Sequence, residues 1–227
     1  MAAAHDSKVL AIKITLYRAG KNSPLVEVLK KAVEHGKQVT AFVELKARFD
    51  EENNIQWARE LEHAGAHVVY GVVGLKTHCK IAMVVRKEEK KIKTYVHLST
   101  GNYNLSTSRI YTDIGIFPAR EDFAEDAINV FNMLTGYSHH TRWEQFSVAP
   151  KTLKSDVLRL INRESENHSI ESPGMIFAKM NALVDEDIIR ALYKASQKGV
   201  KIRLIIRGVC CLRPGVKDMS ENIEVRS

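Results

Sequence analysis

Residues 9–17 read Val-Leu-Ala-Ile-Lys-Ile-Thr-Leu-Tyr, a largely apolar run that contains several β-branched residues. This composition predicts a mostly buried β-strand. The chain then reaches Ser23, a helix-capping residue type, and Pro24, which suits the first position of a helix. Apolar residues recur at helical spacing until Gly36, which marks the end of the helix. The stretch 9–36 therefore predicts a strand that is followed directly by a helix with both ends defined.

The same alternation of strand and helix continues along the chain. Residues 39–45 and 67–72 have the composition of strands, and the helix between them is predicted to run from Asn54 to Ala64, before Gly65. This order is typical of a sheet that is covered by helices. The first part of the chain is therefore predicted to be an α/β domain.

The pattern then changes to strands that follow one another directly. Residues 78–86 and 93–99 predict a β-hairpin, whose tip at 87–91 reads Lys-Glu-Glu-Lys-Lys and is interpreted as an ordinary solvated turn. A further strand is predicted over 110–117, and a helix is predicted over 121–134.

A domain boundary is predicted near residues 146–150, which read Phe-Ser-Val-Ala-Pro. Placing Gly199 over Gly36 gives an internal alignment with an offset of 163 and five identities in 32 positions. Shared β-α-β patterning alone can produce such a match, but it is also what a repeated domain would show. We therefore predict two domains, 1–147 and 148–227. In the second, helices and strands are predicted over 151–166, 175–180, 185–198 and 201–206.

The composition describes a globular protein with excess positive charge. Of its 227 residues, 44% are hydrophobic and 27% are charged, which argues against a disordered chain, and the formal net charge is +7. A basic surface suits an anionic partner such as a nucleotide or nucleic acid. Three cysteines without a Cys-x-x-Cys spacing indicate neither a disulfide framework nor a zinc site, and they fit a reducing cytoplasm. No apolar run approaches the length of about 18 residues that spans a bilayer, so any membrane association is expected to be peripheral.

A histidine and a lysine separated by one residue indicate the chemistry. His78 and Lys80 would share one face of an extended strand, which places an ammonium group beside an imidazole. A neutral imidazole is nucleophilic near pH 7, and the turn at 99–104, Ser-Thr-Gly-Asn-Tyr-Asn, offers amide donors for phosphoryl oxygens. These residues therefore predict a phosphoryl-transfer site with His78 as the nucleophile.

Six ordered blocks of the sequence resemble one protein family. The His-x-Lys spacing and the later Gly-Asn turn resemble the phospholipase D superfamily, although Val85 stands where that superfamily has an aspartate. As a set, the blocks resemble polyphosphate kinases of the large, phospholipase-D-like type, from Lys13 to the end of the chain. The blocks are 14–18, 43–53, 74–80, 100–102, 109–113 and 199–208.

This resemblance implies an α/β fold in which a phospholipase-D-like mixed sheet is flanked by helices. The family pairs two such domains, and each gives a histidine to one active site. The chain is therefore expected to hold one nearly complete domain and the first half of a second, similar domain. The internal offset of 163 places the second histidine near position 241, beyond Ser227. We accordingly expect the 227-residue chain to synthesise little or no polyphosphate by itself.

The resemblance also implies the reaction and its residues. Polyphosphate kinases transfer the terminal phosphate of ATP reversibly to polyphosphate through a phosphorylated histidine, here His78, with Lys80 beside it. Arg18 and Arg48 match the magnesium-site arginines of the family. Since arginine has no acceptor atom, we expect both to bind phosphates that Mg²⁺ also contacts. Nucleotide and phosphate contacts are expected at Tyr111, Arg207, Gly101 and Asn102. We further expect Mg²⁺ as the cofactor, ATP, ADP and polyphosphate as partners, a cytoplasmic location and a homo-oligomeric parent protein, with no specific nucleic-acid partner.

Two other functions stay open at this point. A phosphodiesterase or nuclease of the phospholipase D superfamily would use the same histidine, but Val85 and the arginine-containing blocks disfavour it. A polyanion-binding or nucleic-acid-binding module without enzymatic activity would explain the charge, but only 7% of the residues are aromatic and no stacking motif is present. Structural explanations also exist for individual residues: Arg48 in a surface ion pair, Tyr111 as a strand aromatic facing a core, Gly101 and Asn102 as a plain turn, and His139 and His140 as an exposed loop.

Overall fold

The computed structural model of the chain describes residues 1–20, 23–47, 51–71, 74–136 and 142–227. Within these ranges the chain divides into two units, Met1–Phe146 and Ser147–Ser227. Among the helices in the described ranges, none combines the length and the apolar character needed to cross a bilayer.

The first unit is an α/β arrangement. In chain order its elements are α1 (Ala2–His5), β1 (Val9–Leu16), α2 (Pro24–Glu34), β2 (Gln38–Val43), α3 (Glu51–His63), β3 (His67–Tyr70), β4 (Ile81–Lys87), β5 (Ile92–Ser99), a 3₁₀ helix (Thr107–Arg109), β6 (Gly115–Ile116) and α4 (Glu121–Leu134). The strands form one sheet in the order β3-β2-β1-β4-β5-β6. β1, β2 and β3 are parallel, whereas β4, β5 and β6 each run antiparallel to the preceding strand of the sheet. The predicted mixed α/β class is therefore confirmed.

The main core lies between this sheet and the helices α2 and α3. Ile12, Ile14 and Leu16 alternate along β1 and belong to the same buried cluster as Leu29 of α2 and Leu61 of α3. Burying one such side chain stabilises a fold by about 1.5–3 kcal/mol relative to leaving it exposed. The predicted strand β1 is thus the centre of both the sheet and its core.

The predicted ends of α2 are also observed. The helix begins at Pro24, directly after Ser23. At the other end, Gly36 has a φ angle of 74°, a left-handed conformation that glycine adopts without steric cost. The Gly36 amide donates to the carbonyl of Val33 at 2.8 Å, which closes the last turn before β2.

The second unit contains a small parallel sheet. Its elements are α5 (Leu153–Glu166), β7 (Met175–Met180), α6 (Glu186–Gln197), β8 (Lys201–Ile206) and β9 (Ile223–Arg226). The strand order is β7-β8-β9. Asp185 caps α6, because its carboxylate accepts hydrogen bonds from the amides of Asp187 (3.0 Å) and Ile188 (3.2 Å). Strands β7 and β8 have the bounds predicted from the sequence.

The strand predicted over 78–86 is wrong at its start, because β4 begins only at Ile81. The hydroxyl of Thr15 donates to the carbonyl of Cys79 at 2.8 Å and accepts a hydrogen bond from the Ile81 amide at 3.1 Å. The side chain of Thr15 therefore occupies backbone groups that would otherwise form hydrogen bonds between β1 and an extended β4. His78 consequently lies in an irregular segment just before the strand and not within it.

The strand predicted over 110–117 is wrong in extent, since only Gly115–Ile116 pairs with β5. The residues before it form a 3₁₀ turn, which the amide of Ile110 closes by donating to the carbonyl of Thr107 at 3.1 Å. The amide of Tyr111 donates to the same carbonyl at 3.0 Å. These local bonds occupy backbone groups that a strand would present to its neighbour. An apolar sequence run was therefore not sufficient to identify a strand here.

Candidate active site

One edge of the six-stranded sheet gathers most of the predicted site residues of the first unit. Tyr17 and Arg18 directly follow β1, and Gly101 lies two residues after β5. Because β4 is antiparallel to both strands, its beginning lies at the same edge, and His78–Lys80 immediately precede it. Residues at the carboxyl ends of strands commonly form the ligand sites of α/β sheets.

His78 and Lys80 are in direct contact. The Lys80 Nζ atom lies 3.0 Å from both ring nitrogens of His78 and donates to the His78 carbonyl at 2.6 Å. The imidazole is exposed, whereas the lysine side chain is buried, with 6% of its surface accessible. The arrangement predicted from the His-x-Lys spacing, an ammonium group beside the imidazole, is therefore present although the two residues are not in a strand.

The ring of Tyr17 organises the cations around this pair. It contacts the His78 ring edge-on, with 4.7 Å between the centroids and an interplanar angle of 76°. Lys80 Nζ lies 5.1 Å from the Tyr17 centroid, Arg18 Cζ 5.3 Å and Lys76 Nζ 5.6 Å. Cation–π attraction to the electron-rich ring offsets part of the repulsion between the positive charges. The result is an electropositive pocket beside the histidine, which suits a phosphate group.

The electrostatic environment sets the protonation of both groups. The His78 ring is accessible on one side, but the protein atoms on its other side desolvate it and lower its pKa. The positive charges of Lys80, Arg18 and Lys76 lower the pKa further, so the ring is neutral at pH 7. Burial, together with the charge of Arg18, lowers the pKa of Lys80 to about 8, while the carboxylate of Asp113 opposes this shift. At neutral pH the pair therefore combines a nucleophilic imidazole with a charged ammonium group.

The glycine turn after β5 packs against an aspartate. A Cβ atom at Gly101 would lie 2.2 Å from the Asp113 carboxylate, so any larger residue would displace that carboxylate. Thr100 Oγ1 donates to Asp113 Oδ1 at 3.0 Å. The Gly101 amide donates to Ser99 Oγ at 3.0 Å and is therefore already used within the turn. Within the described part of the chain, the side-chain oxygen of Asn102 is buried without a hydrogen-bond partner. This oxygen is an acceptor, so only an N–H group of Asn102 could serve the predicted phosphate-orienting role.

Two of the remaining predicted site residues can be placed on their own elements. Tyr111 follows the 3₁₀ turn and is 48% exposed, so the alternative that it faces a core is wrong. Arg207 lies in the second unit, directly after β8, and is exposed. Arg48 lies outside the described residues, as does the pair His139 and His140.

Magnesium was expected near Arg18 and Arg48. Within the described ranges, no three His, Cys, Asp or Glu side chains are grouped closely enough to hold a metal ion. Arg18, Lys76 and Lys80 offer only hydrogen-bond donors, and Mg²⁺ requires oxygen ligands. These residues therefore do not form a resident magnesium site, although they fit the phosphates of a nucleotide.

Three residues of the site were missed by the sequence analysis. Lys76 continues the alternation of His78 and Lys80, so the period of two could have identified it. Tyr17 adjoins Arg18 at the end of the first strand, but nothing in the sequence shows that its ring meets the histidine. Asp113 is separated from Lys80 by 33 positions, and only the folded chain brings them together.

Family models, curated relatives and a solved structure all indicate the same family for this chain. A family model described as polyphosphate kinase C-terminal domain 1 matches residues 1–140, and one described as polyphosphate kinase C-terminal domain 2 matches residues 146–227. Over 225 residues, the chain is 56% identical to a polyphosphate kinase of Prosthecochloris aestuarii and 58% identical to one of Prochlorococcus marinus. These alignments cover 99% of the chain but 32% of each relative, so the chain spans about a third of their length. A crystal structure of polyphosphate kinase from Porphyromonas gingivalis matches 99% of the chain and 37% of its own length, with a TM-score of 0.86 and 39% identity.

Proposed function

Because the chain belongs to the polyphosphate kinase family, we propose that it carries the nucleophile of an ATP:polyphosphate phosphotransferase and that this nucleophile is His78. One observation supports the proposal above the others. The neutral ring of His78 contacts Lys80 Nζ at 3.0 Å, in a pocket to which Arg18 and Lys76 add two more positive charges. A nucleophile that can accept a phosphoryl group thus lies beside cations that can bind the oxygens of that group.

In the first step, a ring nitrogen of His78 attacks the terminal phosphorus of ATP. The nitrogen–phosphorus bond forms while the bond between this phosphorus and the bridging oxygen breaks, and ADP leaves with the electron pair of that bond. Negative charge on the three remaining oxygens is stabilised by Lys80, Arg18 and Lys76. Since the imidazole is neutral at pH 7, no base is needed to activate it.

In the second step, a terminal oxygen of polyphosphate attacks the phosphorus of phosphohistidine. The nitrogen–phosphorus bond breaks, and its electron pair returns to the ring. The attacking oxygen is already anionic, so this step also requires no general base. Each step displaces one group at phosphorus, and the reverse sequence returns the phosphate to ADP.

The other predicted residues have roles in the same proposal. Tyr111 and Arg207 would contact the nucleotide, Asn102 and Gly101 would orient phosphoryl oxygens, and Arg48 would join Arg18 on the phosphates. We expect phosphate oxygens and water to be the direct ligands of Mg²⁺, because arginine and lysine side chains have no acceptor atom. The two units would represent a first domain and the first half of a second, similar domain.

Labelling with ATP that carries a radioactive terminal phosphate tests the proposal. In a full-length polyphosphate kinase that carries this segment, we expect an acid-labile, base-stable label that mass spectrometry places on His78. Addition of ADP or polyphosphate should remove the label. A stable label on another residue, or hydrolysis of a phosphodiester in place of transfer, would refute the assignment.

The pH dependence of the same enzyme gives a second prediction. Transfer requires neutral His78, whose pKa is lowered from 6.5, so kcat/KM should rise with pH over a range below 6.5. It also requires charged Lys80, whose pKa is about 8, so kcat/KM should fall above about pH 8. In Lys80→Arg the guanidinium stays protonated, and the falling limb should move to higher pH. A falling limb that is unchanged in Lys80→Arg would contradict this assignment.

A further inference from the structure

Two buried polar side chains lie behind the segment Lys76–Lys80, which we call the histidine loop. We propose that Glu44 and Thr15 are positioning residues that hold this loop, and with it His78, in the geometry needed for attack on phosphorus. The inference rests on the proposed function of His78. Neither residue was singled out from the sequence, and the hydrogen bonds that the two side chains make around this loop go to backbone groups.

Glu44 holds the beginning of the histidine loop. Its side chain is buried, with 3% of its surface accessible, and Oε2 accepts a hydrogen bond of 2.7 Å from the amide of Thr77, the residue before His78. Oε1 accepts one of 2.9 Å from the amide of Lys46. The two oxygens of one carboxylate thus connect the histidine loop to the segment that follows β2. Hydrogen bonds to an ionised acceptor are stronger than neutral ones.

The backbone of Glu44 is itself fixed. Its amide donates to the carbonyl of Leu16 at 3.0 Å, and its carbonyl accepts a hydrogen bond of 2.8 Å from the side chain of Asn54. Asn54 is buried in α3 and also donates to the carbonyl of Tyr17 at 2.8 Å. The carboxylate therefore projects from a point that is anchored to both β1 and α3, as a rigid support for a functional side chain requires.

Thr15 holds the other end of the histidine loop. Its buried hydroxyl donates to the carbonyl of Cys79 at 2.8 Å and accepts from the amide of Ile81 at 3.1 Å. Because β4 begins only at Ile81, ladder hydrogen bonds do not fix the backbone of His78. Instead, Glu44 holds the residue before His78, and Thr15 holds the residue after it.

This arrangement matters because phosphoryl transfer depends on position. The imidazole of His78 is exposed, so close packing on all sides does not hold it. A displacement of about 1 Å at a reacting group can lower a rate by about 100-fold. Loss of one anchor should therefore slow attack on phosphorus. Binding of ATP should weaken less, because it tolerates small displacements of Lys76 and Lys80 and because Arg18 lies outside the loop.

The test uses Glu44→Gln in a full-length polyphosphate kinase that carries this segment, with Glu89→Gln at the exposed hairpin tip as the matched control. A glutamine can accept a hydrogen bond from one of the two amides, but its own NH₂ group then faces the other. We expect the single-turnover rate of His78 phosphorylation at saturating ATP to fall by about 10- to 100-fold. The ATP concentration for half-maximal rate should change by a smaller factor than the rate, and Glu89→Gln should match the unsubstituted enzyme.

A second pair of variants covers the case in which Glu44→Gln does not fold. Thr15→Ser keeps the hydroxyl and is expected to retain most of the rate. The nearly isosteric Thr15→Val removes the hydroxyl, and its rate is expected to fall by a larger factor than its affinity for ATP. A folded Glu44→Gln that phosphorylates His78 at the unsubstituted rate would overturn the inference alone, as would equal rates for Thr15→Ser and Thr15→Val. An unsubstituted enzyme that never becomes phosphorylated on His78 would overturn the proposed function itself, and the inference with it.

Discussion

Replacement of His78 by Gln is expected to reduce phosphoryl transfer by at least about 1,000-fold, since loss of a covalent nucleophile removes the reaction route itself. The measurement is ATP-dependent synthesis of polyphosphate by a full-length polyphosphate kinase that carries this segment. Glutamine keeps the polar character of the side chain but has no nucleophilic ring nitrogen. Because His78 is exposed and lies outside the strands, the substitution should leave the folded state intact.

The matched control is His67→Gln. His67 is an exposed residue at the start of β3 and is expected to tolerate the change with full activity. Circular dichroism and thermal unfolding of both variants would show whether they fold equally well. Transfer by His78→Gln at a rate close to that of the unsubstituted enzyme would rule out His78 as the nucleophile.

Replacement of Lys80 by Met is expected to lower transfer by about 100- to 1,000-fold, the usual effect of removing one preorganised donor to a developing negative charge. Met has a similar length and keeps the apolar contacts of the buried lysine stem. Burial lowers the pKa of Lys80 to about 8, which means that the folded state disfavours the charged form relative to the unfolded chain. Removal of the charge should therefore leave the thermal midpoint unchanged or raise it, while activity falls.

Lys93→Met provides the control for Lys80→Met. Lys93 Nζ also lies over an aromatic ring, 5.5 Å from the centroid of Tyr95, but this contact belongs to the hairpin and not to the pocket. We expect full activity in this variant. Steady-state transfer assays and thermal unfolding of both variants give the comparison, and a parallel loss of activity and stability in Lys80→Met would show that Lys80 acts through folding.

Local patterns accounted for most of the elements. The bounds of α4, β7 and β8 agree with the prediction, and α2 starts at Pro24. In these elements the spacing of the apolar residues and the glycine or proline near the ends indicate the same type of element. Each of these signals depends only on neighbouring residues in the chain. Errors occurred where a distant residue intervenes. Thr15 is 64 positions from Cys79, yet its hydroxyl determines where β4 begins.

The same distinction applies to the site. The spacing of His78 and Lys80 was sufficient to predict their contact, because two residues separated by one position project to the same side of an extended segment. Two other contacts could not be predicted in this way. One is the packing of Asp113 against Gly101, and the other is the hydrogen bond from the Thr77 amide to the Glu44 carboxylate. Such contacts join segments that are far apart in sequence, and no periodic pattern encodes them.

By itself, the amino-acid sequence determined the α/β class, the family and the histidine–lysine pair, because hydrophobic period, turn residues and motif spacing are properties of short segments. Only the tertiary structure decided which groups surround that pair and how its loop is held. Antiparallel pairing of β4 with β1 brings the end of β1 and the beginning of β4 to one edge of the sheet. Tyr17 there contacts three cations, and partial desolvation of the His78 ring together with their charges keeps it neutral.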